Sequence, residues 1–274
     1  MASSLTSRTD PLYQKDGQLY THTNLVSSIH PLSSLPEETR TLFKPPTEQN
    51  QEPYILTTPS TIFHAQGGGQ PSDTGTITSQ STTFHVHQVR KPSEDSAILH
   101  MGIFASEDQQ FGTGETAEQK IDVDKRILHS RIHTSGHVIG CAVNQLLQEG
   151  KLPADIKDGK ASHYPGAAFV EFSGLIPGTA KDAIQARVND LVAQNLDVNI
   201  HFWSEQKAKE CCLGADGDLK GDEDGVRVVE IGDVGRYPCG GTHVQKLGEC
   251  GKIVVRNVKR QKGVSKIGYE VADA

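Results

Sequence analysis

No apolar run in the sequence approaches the roughly 18 residues of a membrane-spanning helix. A helical membrane anchor is therefore not expected. The start, Met1-Ala2-Ser3-Ser4-Leu5, lacks the basic segment and apolar block of a secretory signal. Cysteine is sparse and odd in number: five, at Cys141, Cys211, Cys212, Cys239 and Cys250. Such scatter is not a disulfide framework, and a reducing cytoplasm fits it. Positive charge is in deficit, with 27 Lys and Arg against 34 Asp and Glu, a net −7. That argues against nonspecific coating of nucleic acid, but leaves room for a local basic patch. No internal repeat is visible. Residues 216–224 are acidic and Gly-rich but lack a complete calcium-loop pattern, so they read as a solvated loop.

What the chain does hold is histidine, 12 in all. Arg131-Ile132-His133-Thr134-Ser135-Gly136-His137 reads as the opening of a helix, carried on by Val138, Ile139, Ala142, Val143, Leu146 and Leu147. The helix is placed over 124–150, with Gly150 and Pro153 as stop signals. His133 and His137 are four apart and share one helix face, about 5–6 Å apart at Cβ. Pro238-Cys239-Gly240-Gly241-Thr242-His243-Val244 offers a thiolate and a third imidazole. Its glycines permit turns and Pro238 fixes the entry, so both ligands can face inward from a loop. Alone, the helical pair is as well explained by a polar face; His129 with His133 makes a second such pair, and His129 reads as a helix-face residue. Taken together, His133, His137, Cys239 and His243 form a Cys-His₃ set that suits zinc. Cys211 and Cys212 have no matching partners nearby and read as incidental thiols.

The remainder reads as a mixed chain. Residues 1–50 are polar and partly irregular, with a strand beginning near 17–22 and a short helix or loop over 32–43. Strands at 54–58, 61–64, 76–78, 83–89, 97–101 and 119–123 suggest a small β-barrel or sandwich. Then come a strand over 163–172, a helix over 181–195, a strand over 198–203, a short helix capped by Ser204 and a strand over 226–231. Closing strands at 252–258 and 265–271 are expected to be antiparallel. The predicted class is α+β: an N-terminal β-barrel-like domain over 1–122, then an α+β zinc-containing domain over 123–274.

His133-Thr134-Ser135-Gly136-His137 with Cys239-Gly240-Gly241-Thr242-His243 resembles the paired zinc motifs of the alanyl-tRNA synthetase editing domain. The segment Gly67-Gly68-Gly69-Gln70-Pro71-Ser72-Asp73-Thr74-Gly75 matches the Gly-rich motif of that family, and His163-Tyr164-Pro165-Gly166 and Val170-Glu171-Phe172 fit it too. The likeness runs over residues 57–271. With no sign of a synthetase catalytic domain, the chain is similar to the freestanding AlaX editing proteins that carry an N-terminal β-domain. The resemblance implies a zinc-dependent hydrolase acting in trans on mischarged tRNA(Ala), removing chiefly serine, with glycine as a second substrate. Carried over by position, His133, His137, Cys239 and His243 are the zinc ligands, Thr61 senses the serine hydroxyl, and Gln70 lines the same pocket. Two departures bear on tRNA docking more than on metal: Val123 stands where the family has a tryptophan, and the C-terminal basic segment is less regular.

An aminoacyl ester needs a placed water and a stabilised oxyanion to hydrolyse. Four protein ligands saturate tetrahedral zinc, so the ion is expected mainly to shape and position the site. Water activation requires a displaceable ligand, and His133 is the one to test. Without the resemblance, Thr61 is an ordinary strand threonine and the glycine run a turn. With it, a buried hydroxyl partner favours serine over alanine, and the glycine backbone can approach substrate closely. Lys252, Arg256, Lys259, Arg260, Lys262 and Lys266 form the clearest basic cluster, to which Arg126 and Arg131 could add. They read either as a solvated face or as a strip that tracks tRNA phosphates. The expected protein is a monomeric cytoplasmic deacylase. The alternatives are a zinc enzyme for another small aminoacyl ester or thioester, and a noncatalytic tRNA-binding module. Hydrolysis of free esters without tRNA would favour the first, and tight tRNA binding without turnover the second.

Overall fold

The structure, a computed structural model, describes residues 5, 7–45, 51–80, 82–93, 95–106, 110–214 and 219–272. Residues 1–4 of the N-terminal stretch and 216–218 of the acidic loop lie outside them. The chain forms two compact units: residues 1–67 with 71–126, and residues 68–70 with 127–274.

The first unit holds β1 (Asp10–Pro11), α1 (Leu12–Lys15), β2 (Thr21–Leu25), β3 (Ser28–Pro31), α2 (Glu37–Arg40), β4 (Tyr54–Thr57), β5 (Ser60–Thr61), β6 (Gly75–Ser79), β7 (Thr82–Arg90), β8 (Leu99–Phe104) and β9 (Thr116–Ile121). Seven of these strands make one antiparallel sheet in the order β2-β9-β6-β7-β8-β4-β3. Its two edge strands, β2 and β3, are successive in the chain, separated only by Val26 and Ser27. Laid flat, strands spaced at about 4.8 Å would put those edges about 29 Å apart. The links from Leu25 to Ser28 reach only about 11 Å. The sheet must therefore curl. At that corner Val26 N–H donates to Glu115 O (2.9 Å) and Ser27 N–H to Thr57 O (2.8 Å), so consecutive residues hold both edges. The result is a curled half-barrel, as the barrel-like expectation required in coarse form. Leu56, Ile62, Phe63, Ile77, Phe84, Val86 and Ile121 fill its interior.

The strand expected over 61–64 stops at Thr61. Beyond it, side chains take the backbone N–H groups. Ile62 donates to Gln119 Oε1 (3.0 Å), Phe63 to Thr61 Oγ1 (3.1 Å) and His64 to Asp73 Oδ2 (2.6 Å). Such local bonds replace a ladder.

In the second unit, α3 (Val123–Gln148, from Ile127 onward) is followed by β10 (Lys157–Ser162), β11 (Phe169–Ser173), α4 (Lys181–Ala193), β12 (Val198–Trp203), α5 (Glu205–Cys211), β13 (Val226–Ile231), β14 (Gly235–Pro238), β15 (Lys252–Gln261) and β16 (Val264–Ala272). Two sheets form, β10-β11-β16-β15 and β12-β13-β14. The histidine stretch lies in the middle of α3 rather than at its opening, and residues 132–136 are all buried. A helix buried on every side is a core helix, so its polar side chains need partners. Ile184, Val188 and Leu191 of α4 share the core with Ile139 and Val143 of α3 and with Ile253 and Val255 of β15.

β10 was not foreseen: Lys-Asp-Gly-Lys-Ala-Ser has no apolar alternation, which suits a sheet edge. The strand expected over 163–172 begins only at Phe169. Before it lies a turn with Pro165 second and Gly166 (φ +75°) third, closed by Ala167 N–H to Tyr164 O (3.0 Å), as a type II turn demands. The closing strands β15 and β16 are antiparallel, as expected. Lys262 (φ +51°) and Gly263 (φ +79°) join them in a two-residue hairpin loop, both with positive φ. Among the described residues no helix is long and apolar enough to cross a membrane.

Candidate metal centre

One face of α3 and the loop after β14 bring four donors together. The ligand atoms of His133, His137, Cys239 and His243 all lie within 4.8 Å of one another. Cys239 Sγ is 3.3 Å from His133 Nε2 and 3.4 Å from His243 Nε2. Tetrahedral zinc bound to nitrogen and sulfur spaces neighbouring ligand atoms by about 3.3–3.6 Å, so these separations fit. His137 Nε2 is buried and makes no hydrogen bond. A buried lone pair without a donor is what a ligand atom awaiting a cation looks like. Burial pulls the His137 pKa down to about 3, with the charges of His163 and Arg227 adding to it, so the ring is a neutral donor. Burial pushes the Cys239 thiol up, while Arg227 and the Gly241 N–H, 3.4 Å from Sγ, favour the thiolate. Among the described residues this set can hold a metal ion.

A second layer orients the first. Gln70, fully buried, belongs to the short 68–70 segment of this unit. Its Oε1 accepts the Thr242 N–H (3.0 Å), and its Nε2 donates to Thr242 Oγ1 (2.8 Å). This two-point clamp fixes which end of the amide is the oxygen. That oxygen lies 2.7 Å from His133 Nδ1, which must therefore carry the proton. The lone pair of His133 is thereby left on Nε2, facing Cys239. On His243, Nδ1 sits 3.1 Å from Thr134 Oγ1, whose oxygen also accepts the Val244 N–H (3.3 Å). Ser130 Oγ, 2.8 Å from Thr242 Oγ1, extends the chain.

The glycines act by space more than by turning. A Cβ on Gly241 would overlap the His133 ring and lie 2.7 Å from Gln70 Oε1; only glycine lets that pair form. Gly69 (φ +79°) passes so close to β10 that a Cβ would be 2.5 Å from Ala161 O, and Gly69 O accepts the His163 N–H (2.8 Å). The Gly-rich run, read in the sequence as both a turn and a close approach to substrate, also lets Gly69 approach the chain's own backbone.

Beside the cluster opens a cavity of about 300 Å³, whose wall includes His137, His163, Asp158, Tyr237 and Phe172. His163 was not singled out as a site residue. Its ring stacks on His133 (centroids 4.1 Å apart, planes at 20°) and lies 6.4 Å from His137. Burial pulls its pKa down to about 4. In the sequence His163 figures only as the first residue of the His163-Tyr164-Pro165-Gly166 stretch that fits the family resemblance; nothing local shows where its ring goes.

The other expected residues fall elsewhere. Thr61 belongs to the first unit and is fully buried. Its Oγ1 is 2.8 Å from His100 Nε2 and 3.1 Å from Gln119 Oε1. Arg126 does not join a basic surface. It is buried against Asp73, which its Nε and Nη2 both reach, and it also donates to Gly17 O (2.7 Å) and Ile62 O (2.6 Å). Arg131 is tied to Cys250 O (3.1 Å) and Ala272 O (2.9 Å). Within the C-terminal cluster, Arg256 reaches Gly166 O (3.3 Å), and Lys266 sits over the Phe169 ring (3.2 Å). Lys252 is exposed at the start of β15. Lys259, Arg260 and Lys262 are exposed at the hairpin end. His129 is buried and is not one of the four clustered donors.

Two family models match the chain: "tRNA synthetases class II (A)" over residues 8–125, and "Threonyl and Alanyl tRNA synthetase second additional domain" over 226–267. The chain is similar to the alanine–tRNA ligase of Acidothermus cellulolyticus, 33% identical over 71% of this chain and 21% of the ligase. It is similar to that of Methanobrevibacter smithii, 29% identical over 78% of this chain and 23% of the ligase. With the ligase of Haloquadratum walsbyi the identity is 30% over 81% of this chain and 23% of the ligase. The chain thus spans roughly a fifth of the length of the curated relatives it matches.

Proposed function

We propose, from its similarity to alanine–tRNA ligases and its matches to the two synthetase family models, that the chain is a member of the alanyl-tRNA synthetase editing-domain family and deacylates mischarged tRNA(Ala), chiefly Ser-tRNA(Ala) and secondarily Gly-tRNA(Ala), supplied already charged by another enzyme. The observation that carries this reading is the Cys-His₃ cluster with its locked second layer, beside a cavity in the same unit. His133, His137, Cys239 and His243 would hold zinc, which supplies a Lewis acid and a fixed positive point at the ester end.

The chain's own residues do the arranging. Gln70 and Thr134 hold two imidazoles with their ε nitrogens toward Cys239. Phe172 and Val170 line the cavity with apolar surface and thin out water. The hairpin end, with Lys259, Arg260 and Lys262, is given the tRNA backbone; Lys252, Arg256 and Lys266 lie along the same two strands. Serine sensing by Thr61 enters from the resemblance. Its single hydroxyl proton already has two acceptors in the first unit.

The test is hydrolysis of separately charged seryl- and alanyl-tRNA(Ala) by zinc-loaded protein and by Cys239→Ala. Serine released with alanine spared, and both zinc and activity lost in a folded Cys239→Ala variant, is the expected result. No turnover by folded, zinc-loaded protein would sink the proposal. In the same assay, a collapsed serine-over-alanine ratio in a stable Thr61→Val variant supports sensing. A kept ratio with lower stability assigns Thr61 to the framework.

A further inference from the structure

Of the buried histidines that the metal cluster does not use, His163, 2% exposed, is the one on the wall of the cavity beside it. Tyr269 O–H donates to Ile132 O (3.0 Å), a backbone carbonyl inside α3 that can only accept. The same phenol oxygen is 2.7 Å from His163 Nδ1. Its proton is already committed, so Nδ1 must donate to it, and the His163 lone pair is left on Nε2. Among the described residues the His163 side chain is hydrogen-bonded through Nδ1 alone, and His163 forms part of the cavity wall. The placement is built rather than incidental. His163 N–H is pinned to Gly69 O at 2.8 Å. Gly136 is bare where a Cβ would lie 2.5 Å from His163 Cε1 and 2.9 Å from the Tyr269 oxygen.

We propose that His163 is a catalytic residue, its Nε2 accepting a hydrogen bond from an O–H group at the reacting ester. Tyr269 acts as its positioning residue. The O–H belongs either to the attacking water or to the terminal ribose hydroxyl next to the ester. Both are donors, and both meet the one acceptor whose direction Tyr269 has set. The inference rests on the deacylase reading, since it names the group that touches the reacting end in that same cavity.

The test compares wild type, His163→Phe, His163→Gln, Tyr269→Phe and the His163→Phe/Tyr269→Phe double variant on Ser-tRNA(Ala). His163→Phe keeps the stack on His133, and His163→Gln is the fallback if it does not fold. Expected is a drop in kcat of about 100-fold for His163→Phe, with KM, zinc content and Tm near wild type. Tyr269→Phe alone should lose roughly 10-fold, and nothing further in the His163→Phe background, because it acts only through that ring. Substrate with a 2′-deoxy terminal adenosine separates the two donors. If its loss and the variant's loss do not multiply, the donor is the ribose; if they multiply, it is water. Full kcat in folded His163→Phe overturns the inference while the deacylase reading survives. So do losses in Tyr269→Phe and His163→Phe that multiply. A wild type that hydrolyses no aminoacyl ester overturns both.

Discussion

His100 in the first unit and His137 and His163 in the second are all shielded histidines held neutral by burial, with pKa values drawn down to about 4, 3 and 4. They differ in what their nitrogens meet. On His100, Nδ1 donates to Leu56 O (3.0 Å), and Nε2 lies 2.8 Å from the Thr61 hydroxyl. Both nitrogens are used and the ring is closed. His137 Nε2 is buried with no partner, and His163 leaves Nε2 on a cavity wall. Burial and a shifted pKa are therefore shared by framework and site. Among these three rings an unanswered lone pair beside the donor cluster is what separates site from framework; His87 and His201 also bury a ring nitrogen without a hydrogen bond, so the lone pair counts only with that placement. Gln119 and the Arg126–Asp73 pair of the first unit have the same closed character as His100, whereas His87 Nε2 in that unit is buried with no hydrogen-bond partner. Gln119 takes the Ile62 N–H with its oxygen and gives its amide to Ser60 O (3.0 Å). The Arg126–Asp73 pair, 1% exposed on each side, is met at every turn by backbone groups.

The largest expected effect tests that closure. Arg126→Met leaves the Asp73 carboxylate buried without its cation and should cost about 3–5 kcal/mol of first-unit stability. Urea denaturation reads it. Adding Asp73→Asn should return part of the loss, since the stranded charge is then gone. If Arg126→Met unfolds at the wild-type midpoint, the pair is not a closed element and the contrast between the units fails on its clearest side.

Acid probes the same unit less severely. The folded-state pKa of His100, about 4, lies below the ordinary 6.5. Between those values the unfolded chain takes up a proton that the folded chain refuses, so this contribution to stability is present above pH 6.5 and is lost as pH falls toward 4. The loss should be on the order of 3 kcal/mol across the window. Denaturation midpoints from pH 7 to pH 4 measure it, and His100→Phe should flatten the slope because nothing at that position then titrates.

Legibility followed locality. The four clustered donors could be named from two short motifs, because the i,i+4 pair and the Cys-x₃-His loop each fit within one turn of chain. The half-barrel was readable as strands and turns. Its curl was not, since that depends on Val26 and Ser27 joining opposite edges of a sheet whose order is set by distant pairings. Arg126 looked like a surface cation, because Asp73 lies 53 positions away along the chain. His163 stayed hidden for the same reason: Tyr269, which sets its tautomer, is 106 positions distant. Gly241 was read as a flexible turn residue, yet its task is to leave room for Gln70 against His133. Space-making is a property of the neighbour, and a single sequence does not display neighbours.

The smallest effect addresses the second unit from inside. Gln70 touches no donor atom of the cluster; it acts on His133 through Nδ1. Gln70→Leu removes the acceptor and leaves the Thr242 N–H unanswered, so zinc should bind about 10–100-fold more weakly, the usual cost of losing a group behind a ligating histidine. Gln70→Glu keeps an acceptor at the same reach and should recover most of that affinity. Competition against a chelator gives the number. The thiolate-to-cobalt absorption of cobalt-loaded protein shows whether Cys239 stays in the set. A variant that only loosens the fold would lower Tm in both substitutions alike, whereas loss in Leu with rescue in Glu follows the acceptor itself. Equal affinity in wild type and Gln70→Leu would mean that His133 keeps its tautomer without help. The second unit's lone pairs would then be left open by geometry alone, and the Gly-rich segment would have a purely structural claim on its place beside the cluster.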